Sequence, residues 1–258
     1  MAALALIDTH IHLGAADFDN DRSQVVARAL ESGVSAMICI GAGYGKVSAA
    51  RALEIADQYD CVHASVGLHP NDASEPFDTA FLEDLAAHPK VVAIGETGLD
   101  FYRDHAARSD QERWFRAQTR LAVSLKKPLI IHSRDAGQDC LAILESEDAA
   151  QAGGVFHCYA EDAAFAERLA AINFLVSFPG SLTFKKAEKM REAAAKIPVS
   201  QIMLETDAPF LAPEPYRGKR CESSFMLETA KRLAAIKGVT LEELSKKTSA
   251  NAKRLFKI

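Results

Sequence analysis

The stretch Leu6-Ile7-Asp8-Thr9-His10-Ile11-His12 places acidic and imidazole side chains directly after an apolar start. Because successive side chains of a β-strand point to opposite faces, Asp8, His10 and His12 share one face. Two imidazoles two positions apart on a rigid strand converge on one metal ion without a bend in the backbone. The alternative is that both are core histidines satisfied by internal hydrogen bonds. This stretch alone does not distinguish a metal site from a packed core.

The same succession of an apolar strand and a helical pattern recurs along the whole chain. Eight segments are predicted as strands: residues 4–8, 35–40, 61–66, 91–94, 128–131, 154–156, 174–177 and 202–204. Strands that alternate with helices form a parallel sheet, and eight such units in about 250 residues are typical of a (β/α)8 TIM barrel. No linker rich in proline, glycine or serine divides the sequence. We therefore predict a single α/β TIM-barrel domain over residues 1–258.

Composition and charge narrow the class of protein. Apolar residues make up 48% and charged residues 25% of the chain, as in ordinary globular proteins. The net charge of -5 argues against a surface that coats nucleic acid, but not against an enzyme that holds one end of it. Five scattered cysteines indicate reduced thiols, and the first residues form neither a signal peptide nor a membrane span. We expect a cytoplasmic protein with no membrane association and no obligate protein partner.

Imidazoles and carboxylates follow most of the predicted strands. In a TIM barrel the active site forms at the carboxyl ends of the strands. The residues at or near these ends are His10, His12, His69, Glu96, His132, His157, Glu205 and Asp207. Such ligands suit zinc or manganese, and with more oxygen ligands magnesium. They are too many for one catalytic ion that keeps an open position, but they suit two ions bridged by a carboxylate.

Several blocks of the sequence together resemble the TatD family of metal-dependent deoxyribonucleases, within the amidohydrolase superfamily. The blocks are Ile7-Asp8-Thr9-His10-Ile11-His12, Ile94-Gly95-Glu96-Thr97-Gly98-Leu99-Asp100, Pro128-Leu129-Ile130-Ile131-His132-Ser133-Arg134 and Leu204-Glu205-Thr206-Asp207-Ala208-Pro209. Gly67-Leu68-His69-Pro70, Pro215-Tyr216-Arg217-Gly218-Lys219-Arg220 and Asn251-Ala252-Lys253-Arg254-Leu255-Phe256 also match. The resemblance implies a TIM barrel whose metal ligands are His10, His12, Glu96, His132, His157 and Asp207, the residues found at strand ends.

The chain departs from the family pattern at three places. Leu13 precedes Gly14 where the family usually has an aliphatic residue and then Asp or Asn, and Thr97 stands where Ile is more common. Cys221-Glu222-Ser223 replaces the usual Asn-Glu-Pro. None of these changes removes a ligand, so they bear on loop shape and substrate preference.

The ligand set predicts a two-metal hydrolysis. We expect two divalent ions, Mg, Mn or Zn, to hold a water whose pKa falls toward about 7, which supplies a metal-bridged hydroxide at neutral pH. His10, His12 and Asp207 would hold one ion, His132 and His157 the other, and Glu96 would bridge them. Asp207 and Glu96 are the predicted catalytic residues, with Asp207 accepting the proton of the attacking water. The alternative for Glu96 is a helix-capping or surface carboxylate, and for His157 a packed imidazole at a strand end.

Other polar residues near these ligands have two interpretations each. His69, Arg134 and Glu205 are the predicted substrate-binding residues. The alternatives are a turn cap for His69, a surface salt bridge for Arg134 and a hydrogen bond to a neighbouring ligand for Glu205. Asp8 is expected to orient His10 or His132 rather than to bind metal.

Two further segments could contact nucleic acid. Arg217, Lys219 and Arg220 form a basic run that either binds phosphate or is a solvated face. Phe184, followed by Lys185 and Lys186, could stack on an exposed base, or its ring could pack into the barrel wall.

The resemblance favours cleavage of phosphodiester bonds in DNA, as a 3′-5′ exonuclease acting on single-stranded ends. The alternative is an ester or amide hydrolase such as a D-aminoacyl-tRNA deacylase, since the same nucleophile attacks carbonyl carbon and phosphorus alike. A non-catalytic binding barrel is a third interpretation, and the intact ligand set argues against it.

Overall fold

The computed structural model describes residues 4–45, 47–74, 78–103 and 105–258. Its strands are β1 Leu6–Ile11, β2 Val34–Gly41, β3 Val62–Val66, β4 Val91–Asp100, β5 Leu129–Arg134, β6 Gly154–Phe156, β7 Phe174–Phe178 and β8 Ile202–Leu204. Its helices are α1 Arg22–Glu31, α2 Ser48–Gln58, α3 Thr79–Ala86, α4 Arg108–Leu125, α5 Gly137–Ser146, α6 Ala163–Ala171, α7 Glu188–Lys196, α8 Met226–Lys237 and α9 Leu241–Phe256.

The strands follow one another in sequence order, β1 to β8, in one eight-stranded sheet. The pairings of β3 with β4, β4 with β5, β5 with β6 and β7 with β8 are all parallel. Parallel neighbours need a crossover connection, and the helices between consecutive strands supply it. This order confirms the predicted fold class, a (β/α)8 TIM barrel.

The chain forms two compact units, and the first comprises the described part of Met1–Ile38 with Cys158–Ala170 and Leu175–Ile258. In it, the end of β1 pairs with the segment that follows β8. The Asp207 N–H donates to the His10 carbonyl at 2.9 Å, and the His12 N–H donates to the Ala208 carbonyl at 2.8 Å. These bonds hold His10 and His12 beside Asp207.

Helix α9 fixes the position of β8 in this unit. The buried Asn251 amide donates to the carbonyls of Val199 and Ile202, each at 2.8 Å. The helix itself begins at a capping box in which Thr240 and Glu243 satisfy each other's backbone N–H groups. The start of β8 is thereby tied to a well-defined helix.

The second unit comprises Cys39–His157 and Ala171–Phe174. Its central strand is β4, which is buried along all ten residues and pairs with β3 and β5. Continuous burial is typical of strands whose two faces are both covered.

Several elements differ in extent from the sequence prediction. Strand four was expected to end at Ile94, but β4 continues to Asp100, so Glu96 lies inside a strand rather than after it. The apolar spacing predicts a helix over residues 19–32, but α1 begins at Arg22, because Asp21 before it has a non-helical φ of -144°. The sequence also predicts a helix over residues 77–88; the structure shows α3 over Thr79–Ala86, and Phe77 lies outside the described residues.

No helix in the described ranges is both long enough and apolar enough to cross a bilayer. The five cysteines are all free thiols.

Candidate metal centre

The first unit contains a cluster of His10, His12 and Asp207, which we call the His10 cluster. The Nε2 atoms of His10 and His12 lie 3.7 and 3.5 Å from Asp207 Oδ1. The two imidazoles meet edge to face, with ring centroids 5.1 Å apart. His10 is fully buried and His12 nearly so. Sequence analysis predicted these three residues as one ligand group, and the structure brings them together.

Asp207 reaches this position through an unusual backbone conformation. Its φ is +56°, in the left-handed region, where Asp is tolerated better than most residues with a Cβ. Its carbonyl accepts a hydrogen bond from the Phe210 N–H at 2.9 Å, which closes a turn directly after β8. The turn directs the Asp207 carboxylate toward β1.

Asp8 does not contact an imidazole ring of this cluster. It is fully buried and accepts hydrogen bonds from the N–H of His10 and from the N–H and hydroxyl of Thr206. The Ser223 hydroxyl donates to its Oδ2 atom at 2.6 Å. Burial raises the pKa of Asp8 to about 6, although these hydrogen bonds oppose the increase. Asp8 therefore positions the backbone of the ligands, and the Ser223 that departs from the family pattern supplies one of its donors.

Glu205 follows β8 two residues before Asp207 and is fully buried. One carboxylate oxygen accepts from the Cys158 N–H at 2.6 Å, and the other accepts from the Ser177 hydroxyl at 2.5 Å. The carboxylate thus links the segment after β8 to Ser177 of β7 and to Cys158. Its predicted contact with substrate stays a prediction.

The second unit contains a cluster of Glu96, His132, His157 and His69, which we call the Glu96 cluster. Glu96 Oε1 lies 2.8 Å from His132 Nδ1, 2.7 Å from His157 Nε2 and 3.4 Å from His69 Nε2. Glu96 is 2% exposed, so this carboxylate is neither a surface group nor a helix cap. Residues from β3, β4, β5 and β6 or their ends converge on one oxygen atom.

Two glycines allow Glu96 to point into this cluster. A Cβ on Gly95 would lie 2.6 Å from the Ile130 carbonyl oxygen, and one on Gly98 would lie 2.0 Å from the His132 carbonyl oxygen. The register between β4 and β5 shifts between Gly95 and Thr97, so Glu96 is the extra residue of an irregularity in the ladder. Such irregularities redirect a side chain.

Asp100 is a residue of this cluster that sequence analysis did not assign. Its Oδ2 atom lies 3.1 Å from His132 Nε2, on the side of the ring opposite Glu96. Burial favours the neutral carboxyl, but hydrogen bonds led by that from His132 bring the pKa of Asp100 down to about 2. Burial likewise opposes protonation of His132, and the two carboxylates outweigh it and raise the pKa of the imidazole. Asp100 is the last residue of the Ile94–Asp100 stretch that resembles the TatD family. Its contact with His132, however, depends on the strand register that pairs Gly98 with His132.

His69 is held against Glu96 by its own loop. Its Nδ1 atom accepts a hydrogen bond from the Asn71 N–H at 3.1 Å, so the neutral ring carries its proton on Nε2, toward Glu96. Burial lowers the pKa of His69 and favours this neutral form. The structure thus combines the predicted turn cap with a donor to Glu96, and the predicted phosphate contact stays a prediction.

Arg134 ends β5 two residues after His132 and is exposed. Its guanidinium lies 4.2 Å from the centroid of the Tyr102 ring, which is 64% exposed. This cation–π contact keeps the charged group at the end of the strand. Among the residues that the structure describes, Arg134 forms no salt bridge, and a contact with phosphate stays a prediction.

The Glu96 cluster has a spacing that fits a metal ion. Two donors that each lie about 2.0–2.1 Å from a tetrahedral zinc ion are about 3.3–3.4 Å apart. His132 Nδ1 and His157 Nε2 are 3.3 Å apart. His69, Glu96 and His132 also offer ligand atoms within 4.8 Å of one another. Imidazole and carboxylate donors at these separations can hold a divalent cation, so the residues present fit the group.

Comparison with known proteins gives the same family as the motifs. The family model described as TatD related DNase matches residues 7–257. YabD of Bacillus subtilis, named an uncharacterized metal-dependent hydrolase, is 42% identical over 255 residues, covering 98% of this chain and 99% of that protein. A Shigella flexneri protein named 3'-5' ssDNA/RNA exonuclease TatD is 33% identical over 261 residues, covering 98% and 99%.

Among solved structures, the TatD homologue YJJV of Escherichia coli K12 superposes with a TM-score of 0.91. It is 28% identical, and the match covers 98% of each chain. Because fold, ligand types and family model all agree, this chain belongs to the TatD family of metal-dependent hydrolases.

Proposed function

We propose that this protein is a nuclease that removes nucleotides from the 3′ end of single-stranded DNA, with the His10 and Glu96 clusters each binding a divalent ion. The observation that carries the proposal is the 3.3 Å separation of His132 Nδ1 and His157 Nε2 beside the buried Glu96 carboxylate. The name of the Shigella flexneri relative supports the substrate class. The proposal treats residues 1–258 as a single hydrolase domain in which Glu96 would be a metal ligand.

Divalent ions at such a site supply an acidic water and neutralise charge on the phosphate oxygens. The protein residues have distinct tasks around them. Asp207 Oδ1, which faces both His10 and His12, accepts the proton lost by the attacking water. Asp100 fixes the orientation of the His132 ring, and Asp8 fixes the backbone of His10. Arg134 binds a phosphate of the substrate at the end of β5.

We also propose a cytoplasmic location. The five cysteines are free thiols, three of them buried, which suits a reducing compartment.

The test compares substrates on one protein preparation. Protein stripped of metal is reloaded with Mg, Mn or Zn and incubated with end-labelled single-stranded DNA, duplex DNA, RNA and D-aminoacyl-tRNA. We expect metal-dependent shortening of single-stranded DNA from its 3′ end, blocked by a 3′ phosphorothioate linkage. Faster deacylation than DNA cleavage would instead support the aminoacyl-tRNA alternative.

Ligand variants connect the activity to the site. Glu96→Gln and Asp207→Asn should each lower the rate by more than about 100-fold, because each removes a charge from a metal ligand. Asp139→Asn, on the exposed face of α5, is the matched control and should leave the rate unchanged. Full activity in either ligand variant would remove that residue from its proposed role.

A further inference from the structure

A groove on the first unit is lined by residues that are far apart in the sequence. Its volume is about 630 Å³, and it is lined by the segment after β7, by α7, by Glu214 and by α8. The segment after β7 contributes Phe184 and Lys185, and α8 contributes Lys231 and Arg232. Phe184 and the basic run at Arg217 follow neighbouring strands, β7 and β8, so both lie at the carboxyl end where Asp207 lies.

Phe184 and Arg217 form a stacked pair at this groove. The Arg217 guanidinium lies 3.8 Å from the centroid of the Phe184 ring. Arg217 is exposed and Phe184 is partly exposed, so the pair presents a flat, positively charged surface to solvent. Aromatic rings and guanidinium planes both stack on nucleic-acid bases.

The backbone that carries Phe184 is held rigid. The Arg191 guanidinium donates to the carbonyls of Leu182, Phe184 and Lys185, at 3.3, 2.6 and 3.2 Å. The Thr183 hydroxyl accepts from the Glu214 N–H at 2.9 Å, which ties this segment to the loop after β8. A surface fixed in advance loses little entropy when a ligand stacks on it.

The charge of the groove is opposite to that of the whole chain. Four cationic side chains and two carboxylates line it, whereas the chain carries a net charge of -5. Lys231 is paired with Glu228 at 2.7 Å. Within the ranges that the structure describes, the charged groups of Lys185, Arg217 and Arg232 form no ion pair. Unneutralised cations beside a stacking surface are the combination that binds single-stranded nucleic acid.

We propose that this groove binds the part of a single-stranded nucleic acid that extends beyond the nucleotide being cleaved. A base stacks on the Phe184–Arg217 pair, and Lys185 and Arg232 contact successive phosphates. The groove therefore makes affinity depend on the length of the strand. This inference rests on the proposed nuclease function, since it assumes that the substrate is a polynucleotide.

The test measures binding separately from cleavage. Metal-loaded protein is titrated into fluorescein-labelled, phosphorothioate single strands of 3 and 12 nucleotides, and anisotropy is followed at several salt concentrations. The double variant Lys185→Ala and Arg232→Ala should bind the 12-mer on the order of tenfold more weakly, because two phosphate contacts are lost. The slope of log K against log salt should become shallower by about 1.4, and binding of the 3-mer should change much less.

Two further variants isolate charge and stacking. Lys246→Ala with Lys247→Ala removes the same charge from exposed positions of α9, outside the groove, and should leave both oligonucleotides unaffected. Phe184→Leu keeps an apolar side chain but removes the ring, and should weaken 12-mer binding at least about fivefold. Each variant is checked for an unchanged thermal midpoint, which separates loss of contacts from loss of fold.

Unchanged 12-mer affinity in the Lys185/Arg232 variant, or equal loss in the Lys246/Lys247 variant, would overturn the inference. Equal competition by poly-glutamate of matched charge would do so as well, since it would show general anion binding. A wild-type protein that binds the 12-mer but cleaves no DNA with any metal would count against the proposed function and not against the groove.

Discussion

Asp100 and Glu96 contact opposite nitrogens of the His132 imidazole, at 3.1 Å from Nε2 and 2.8 Å from Nδ1. A ring held on both sides has one orientation, and a histidine ligand with a carboxylate on its second nitrogen binds metal more tightly. We therefore expect Asp100→Asn to lower metal affinity by about 10–100-fold, measured by competition with a metal indicator. Asp139→Asn is the control for loss of one carboxylate charge. Equal affinities in the Asp100 variant and the wild type would show that this contact does not support the metal site.

The close packing of β4 against β5 leads to a second prediction, on the stability of a Gly98 variant. Gly98 has a φ of +141°, and a Cβ there would lie 2.0 Å from the His132 carbonyl oxygen. We expect Gly98→Ala to lower the free energy of unfolding by about 3 kcal/mol or more, through backbone strain and overlap. The measurement is urea denaturation followed by circular dichroism.

Gly238 supplies the comparison, because its φ of +64° is also left-handed but nothing lies within 4 Å of an added Cβ. Gly238→Ala should cost only about 1–2 kcal/mol, the conformational penalty alone. Equal losses in the two variants would mean that close packing of β4 on β5 is not what requires glycine at position 98.

The departure from the family pattern at Thr97 has a partner in the core. The buried Gln118 amide donates to the Thr97 hydroxyl at 2.7 Å and exchanges hydrogen bonds with the N–H and carbonyl of Leu68, next to His69. We expect Gln118→Leu to lower the free energy of unfolding by about 2–4 kcal/mol, because each buried group left without a partner costs about 1–3 kcal/mol.

Thr97→Ile would install the residue more common in the family, yet it should destabilise this protein, because the Gln118 amide loses an acceptor. Gln58→Leu, at the exposed end of α2, is the control for the change of side chain and should have little effect. Chemical denaturation of the three variants tests both statements, and a neutral Gln118→Leu would contradict them.

The ion pair between Arg220 and Asp21 predicts a dependence of stability on pH. Both terminal guanidinium nitrogens of Arg220 donate to the carboxylate, at 2.8 and 2.7 Å, and these hydrogen bonds hold the pKa of Asp21 below its ordinary value of 3.8. A lowered folded-state pKa means that the pair stabilises the fold above the unfolded-state pKa and that this contribution is lost as the pH falls through the folded-state value. Because the pair is partly exposed, its contribution is at most about 1 kcal/mol.

We expect Arg220→Met to have a lower thermal midpoint than the wild type at pH 7. The difference between the two midpoints should shrink as the pH falls below 3.8. Lys247→Met, which removes an exposed charge on α9, should give a small difference that does not vary over this range. A difference for Arg220→Met that is constant with pH would show that the ion pair is not its source.

The local sequence determined the succession of strands and helices and the type of fold. Apolar strands separated by helical patterns have few compact solutions at this length, so the barrel followed from periodicity alone. The imidazoles and carboxylates of the candidate site could also be identified from the sequence. The active site of a TIM barrel forms at the carboxyl ends of the strands, and each predicted strand marks where its own carboxyl end lies. That His10, His12 and Asp207 meet was predictable for this reason.

The contacts between side chains were decided by the tertiary structure. Glu96 was expected after a strand, but the irregular register of β4 against β5 places it inside one, and the same register brings Asp100 to His132. Asp8 was expected to orient an imidazole, but its carboxylate accepts hydrogen bonds from backbone N–H groups and hydroxyls. One of these hydroxyls belongs to Ser223, which is far from Asp8 in the sequence. The stacking of Arg217 on Phe184 likewise joins two loops. The physical reason is that periodicity fixes which face a residue occupies, whereas register and loop path fix which atoms come within hydrogen-bonding distance.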